Sequence, residues 1–123
     1  MLKIATIVAA TLAASASAAA PARFTDLQFL RAARCEALIT SPALGGGDGT
    51  AIKAVLKAQR QGRVDYIYDR ADQTRDDAAR QARHAGPDQK ASLIAERDTV
   101  CRDLIGGMTA RTTSGATGGP AAP

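Results

Sequence analysis

From Phe24 onward, apolar residues recur three or four apart rather than alternately, and that period predicts helices. Phe24-Thr25-Asp26-Leu27-Gln28-Phe29 is the clearest helix start. Thr25 stands at the cap position, Gln28 three residues later completes a capping box, and Phe24 and Phe29 occupy the hydrophobic-staple positions. Leu27, Leu30, Ala33, Ala37 and Leu38 then form an apolar arc, with Cys35 and Ile39 at its edge. Arg31 and Arg34 intrude on the arc, and their stems can cover apolar surface while the charged heads stay in water. Ser41-Pro42 ends this helix, because the residue before a proline avoids helical geometry.

A second apolar series runs through Ile52, Val55, Leu56 and Gln59, is interrupted at Gly62, and resumes at Val64, Tyr66, Ile67 and Tyr68. Residues 69–84 are polar, yet Ile67, Ala71, Thr74, Ala78, Ala82 and Ala85 share one face of small residues open to close helix approach. On the opposite side, Asp76 and Arg80 form a favourable pair four residues apart. This spacing fits one helix from Thr50 to Ala85 or two helices bent at Gly62. Gly86-Pro87 is a break. Beyond it Leu93, Ile94, Val100, Cys101, Leu104 and Ile105 make a last stripe, which Gly106-Gly107 closes. No strand-like alternation of useful length occurs. The predicted fold is an all-α bundle of three or four helices, its core supplied by the first arc and the last stripe.

The ends of the chain change the picture. Lys3 is followed by an uncharged, largely apolar run over residues 4–14, about half of what spans a bilayer, and then by Ala16-Ser17-Ala18. This reads as a signal peptide over 1–18, ahead of a helical domain over 19–107 and a disordered, low-complexity tail over 108–123. The mature product is then periplasmic or secreted, with no transmembrane segment. A core of this size commonly needs covalent support. Two cysteines in an oxidising compartment predict one disulfide, Cys35 to Cys101, tying the first helix to the last.

The formal charge of +4 is spread over intermixed acids and bases and names no partner by itself. Lys53, Lys57 and Arg60 do line one helix face, with Arg63 to one side, opposite Ile52, Val55 and Leu56. Such a face suits an anionic surface or an envelope protein. Aromatic residues make up 3% of the chain, too few for base stacking, so no nucleic acid is expected. Tyr66 and Tyr68 fit either a partner contact or core packing with the hydroxyls at the surface.

Gly46-Gly47-Asp48-Gly49-Thr50 resembles the GGDGT string of the diacylglycerol kinase and NAD kinase superfamily, where it joins a strand to a helix inside a large catalytic domain. Here no strand pattern precedes it, and Asp48 would repel an anion at the helix terminus. The expected role is a loop and a helix cap, with no nucleotide. His84 is the single histidine and lacks the companions that metal ligation or nucleophilic catalysis requires. Asp76 and Asp77 point apart on a helix. The expectation is a small exported helical protein that acts by binding, with no catalytic residue, cofactor or metal. An envelope or acid-stress chaperone is the alternative, and a small envelope enzyme the third reading.

Overall fold

The structure, a computed structural model, describes residues 23–107; the expected signal peptide and the expected tail lie outside the described residues. It contains helix α1 (Asp26–Thr40), a 3-10 turn (Pro42–Leu44), α2 (Thr50–Gln59), α3 (Asp65–His84) and α4 (Pro87–Glu96). The last helix runs on through a π turn (Arg97–Cys101) and a helical stretch over 102–107. No strand occurs among the described residues, so the all-α reading with four helices holds. Gly106 and Gly107 are still helical rather than a stop.

Helix α1 begins as its sequence dictates. The Gln28 N–H donates to Thr25 Oγ1 at 3.2 Å, and the Thr25 N–H donates to Gln28 Oε1 at 2.9 Å. Phe24 and Phe29, on either side of the cap, are both buried to 3% exposure. The stretch from Thr50 to Ala85 is two helices. Gly62 takes a positive φ of 78°, which costs glycine little and other residues much, and the chain turns there.

Helix α1 packs chiefly against α3. The seam is built mainly from small residues, Ala32, Ala33 and Ala37 on one helix and Ala71, Ala78 and Ala82 on the other, with Ile67 at its end, all buried. Leu38 and Ile52 are the large aliphatic side chains that are fully enclosed. The core is thus centred on the α1–α3 alanine seam and not on the first arc and last stripe alone. Leu27, expected in that arc, is 59% exposed, and Val100, expected in the stripe, is 52% exposed.

The π turn explains Val100. At about 100° per residue an α-helix would set Cys101 roughly 80° away from Leu93 and leave Val100 nearly in line with it. A π turn winds each residue through a smaller angle. The accumulated lag carries Cys101 onto the buried line of Leu93 and swings Val100 into solvent. Cys101 there bonds Cys35 of α1, with S–S 2.12 Å and Cα–Cα 5.4 Å, as the sequence predicted.

The glycine-rich loop before α2 lies tight on the end of α1. The Gly47 N–H donates to the Ile39 carbonyl at 2.8 Å, and a Cβ on Gly47 would stand 2.9 Å from that oxygen. At Gly86, by contrast, a Cβ would meet nothing within 4 Å.

Two stability predictions follow from this packing. The bridge closes a 66-residue separation, so its removal by the paired Cys35→Ser and Cys101→Ser variant should cost about 4 kcal/mol on chain-entropy grounds. Denaturant titration of both forms checks this. Gly47→Ala should cost about 1–3 kcal/mol by overpacking against backbone, whereas Gly86→Ala should be neutral or slightly stabilising. Equal melting temperatures for the two glycine variants would contradict the packing of the loop.

Candidate anion-binding face

Helix α2 divides its residues cleanly. Ile52, Leu56 and Gln59 face inward and are buried, while Lys53, Lys57 and Arg60 are exposed. Lys53, Lys57 and Arg60 edge a cleft of about 220 Å³ between α1, α2 and α3. Phe29, Leu56, Tyr68 and Ala71 contribute apolar surface to it, and Glu36, Asp72 and Arg75 contribute charge. The Arg60 guanidinium lies 5.0 Å from the centre of the Tyr68 ring, a cation–π contact. The Tyr68 hydroxyl donates to the Arg60 carbonyl, which fixes the ring beneath it. Arg75 reaches across the cleft, with Nε donating to Glu36 Oε2 at 2.7 Å and Nη1 to Asp72 Oδ1 at 2.6 Å.

Arg63 corrects the sequence reading. Expected beside the basic face, its side chain is 2% exposed and belongs to the interior. Nε donates to the Gln59 carbonyl at 2.9 Å, Nη2 to the Phe24 carbonyl at 2.7 Å, and Nη1 to Asp26 Oδ1 at 2.5 Å. Its guanidinium also sits 4.5 Å from the centre of the Phe29 ring. Gly62 is the reason. The helix that would have continued the stripe stops before residue 63, and the turn aims Arg63 back under the start of α1. Gln59 shares the task, accepting the Phe24 N–H at 2.8 Å.

The other sequence candidates fall into place singly. Asp48 accepts from both the backbone N–H and the hydroxyl of Thr50, at 3.0 and 2.6 Å, so the GGDGT-like string forms the expected loop, while the cap position of α2 falls on Gly49, which has no side chain to cap it. Those bonds, the hydroxyl's first, hold the Asp48 carboxyl below its ordinary range. His84 is exposed in the last turn of α3, where a cation suits the helix dipole. Arg80 pairs with Asp77 at 3.3 Å and not with Asp76. Tyr66 is 67% exposed. Among the described residues no group of three His, Cys, Asp or Glu is placed to hold a metal ion, and no helix is long and apolar enough to cross a membrane.

Three cleft residues escaped the sequence reading: Glu36, Asp72 and Arg75. A signal for Arg75 was present, since it lies four residues after Ala71 and three before Ala78, on the face that packs. No protein-family model matches the chain, and comparison with curated proteins and with solved structures finds no match.

The contrast between neighbouring arginines is measurable. Arg63→Gln should lower stability by about 2–4 kcal/mol, because it strands buried carbonyl groups and removes the cover on Phe29. Arg60→Gln, at an exposed position, should cost under about 1 kcal/mol. Thermal unfolding of the two variants tests the assignment, and similar losses would refute it.

Proposed function

We propose that this is a small exported protein, periplasmic or secreted, that works by binding an anionic partner rather than by catalysis. One observation carries the reading. Lys53, Lys57 and Arg60 stand exposed on one edge of a cleft, and none of them forms an ion pair with a carboxylate among the described residues. The carboxylates that line the cleft, Glu36 and Asp72, are both paired with Arg75. Several arginines elsewhere are matched: Arg34 with Glu96, Arg63 with Asp26, Arg97 with Asp98. Lys53 does feel the charge of Asp48, but Lys57 and Arg60 have no carboxylate partner among the described residues, and cations on a face whose packing does not require them are free to serve a ligand.

Export is supported by two features of different kinds. Residues 1–18 have the charged start, short apolar run and small-residue end of a signal peptide. The Cys35–Cys101 bridge suits an oxidising compartment. The partner is then an anionic lipid surface or an acidic envelope protein.

Reversing the face with Lys53→Glu, Lys57→Glu and Arg60→Glu together should leave the melting temperature within a few degrees of the parent. Retention on anionic vesicles and on envelope extract should fall sharply, and the parent's own retention should weaken as salt rises. Unchanged retention of the triple variant would overturn the binding face.

A further inference from the structure

The cleft beside Lys53, Lys57 and Arg60 has more structure than a charged surface needs, and it narrows the ligand. Lys53 and Lys57 are one helical turn apart, with Cβ atoms about 6 Å from each other, so their ammonium groups can converge on one anion. Arg60 follows on the same face, and Tyr68 holds its guanidinium in place from below. A held arginine loses little freedom on binding and presents a fork suited to phosphate oxygens. The six charged residues of the cleft are Lys53, Lys57, Arg60 and Arg75 against Glu36 and Asp72, which leaves an excess of two positive charges. Arg75 with Glu36 and Asp72 keeps one net negative charge at the α1–α3 side, and the positive charge gathers at the rim on Lys53, Lys57 and Arg60.

The interior of the cleft is different. Phe29, Leu56 and Ala71 are buried, and Tyr68 is half-buried with an aromatic face turned to Arg60. An anion at the rim thus has apolar surface directly below it, within a space sized for a small organic group.

We propose that this cleft is a discrete site for a phosphate monoester: the dianionic phosphate held by Lys53, Lys57 and Arg60, and the first carbons of the esterified group resting on Leu56 and the Tyr68 ring. The inference rests on the binding face proposed above and names its ligand chemistry. Such a phosphate belongs either to a soluble ester or to a lipid headgroup.

The test uses the oxidised full chain. Glycerol 3-phosphate and inorganic phosphate are titrated while the Tyr68 and Phe29 ring resonances are followed, and retention is measured on phosphatidylcholine vesicles with and without phosphatidic acid. Glycerol 3-phosphate should saturate the ring shifts at one equivalent and bind several-fold more tightly than inorganic phosphate. Lys57→Ala and Arg60→Ala should each weaken it about tenfold, and Arg83→Ala and Arg102→Ala, which remove exposed cations elsewhere, should not. Excess glycerol 3-phosphate should also release the protein from phosphatidic acid vesicles, which marks the lipid as an alternative source of the same group. Shifts that never saturate, or equal losses in all four variants, overturn the site in favour of diffuse charge attraction. If vesicle retention depends on the basic face yet ignores excess glycerol 3-phosphate, the face stands and the cleft proposal fails; if neither probe binds, both fail.

Discussion

The Cys35–Cys101 bridge fastens the last helix to a bundle that otherwise has little hold on it. Across residues 87–107 the buried side chains are Leu93 and Cys101 alone, with Ile94, Leu104 and Ile105 half-covered. Apolar burial contributes about 25 cal/mol per Å² removed from water, and a single buried leucine supplies only a few kcal/mol. The ordering of a helix of that length costs more than this. The covalent bond resolves the conflict by restricting the unfolded chain. It also sets the local backbone: the π turn at Arg97–Cys101 is the device that brings the sulfur to α1 while Leu93 stays buried.

Polar staples complete what the bridge begins. Arg34 of α1 grips Glu96 through Nε and Nη2, at 2.6 and 3.0 Å, and reaches Gln81 of α3 through Nη1. Arg97 donates to the Leu44 carbonyl, pinning the 3-10 turn to the last helix. Arg75 joins α3 to Glu36 of α1, and Arg63 joins the link after α2 to the start of α1. An exposed ion pair stabilises little, but a half-buried guanidinium with several acceptors combines charge, geometry and stem packing. Arginine, which outnumbers lysine in this chain, therefore has a structural use: α1 is tied to each of the other helices by at least one arginine or by the disulfide.

How far the sequence could be read follows from the range of the forces involved. The capping box at Thr25, the staple of Phe24 and Phe29, the break at Gly86-Pro87 and the helical period are local, and they were legible. The cysteine pairing was legible because two cysteines permit one bridge. Two features were not. A π turn leaves no mark in the residue pattern, so Val100 and Cys101 looked alike on one stripe although Cys101 ends on the buried line and Val100 in solvent. Arg60 and Arg63 looked like neighbours on one basic face, and only the positive φ of Gly62 sends the second into the interior. A sequence shows that a residue is cationic; whether it meets a backbone carbonyl or solvent depends on chain reversals of that kind. The alanine face of α3 was visible as spacing, but its weight in the core was understated, because small residues signal close approach rather than large buried area.

The same distinction separates scaffold from candidate site. Where a cation is needed for the fold, the structure supplies acceptors around it: two carbonyls and a carboxylate for Arg63, a carboxylate and an amide for Arg34, two carboxylates for Arg75. Along α2 the packing is done by Ile52, Leu56 and Gln59, with Val55 partly buried beside them. Lys57 makes no side-chain hydrogen bond or ion pair with the described residues, Lys53 adds only its charge to the field at Asp48, and the Arg60 side chain rests on the Tyr68 ring. Three positive charges set within two turns also repel one another, a small cost that the charge of Asp48 beside Lys53 offsets only at one end. An anion seated between them removes that repulsion and adds attraction, so the gain on binding exceeds what three isolated surface cations would provide. Among the described residues the arginines with full sets of acceptors belong to the scaffold, and the α2 edge, where three cations gather beside an apolar cleft, is where a ligand has most to offer.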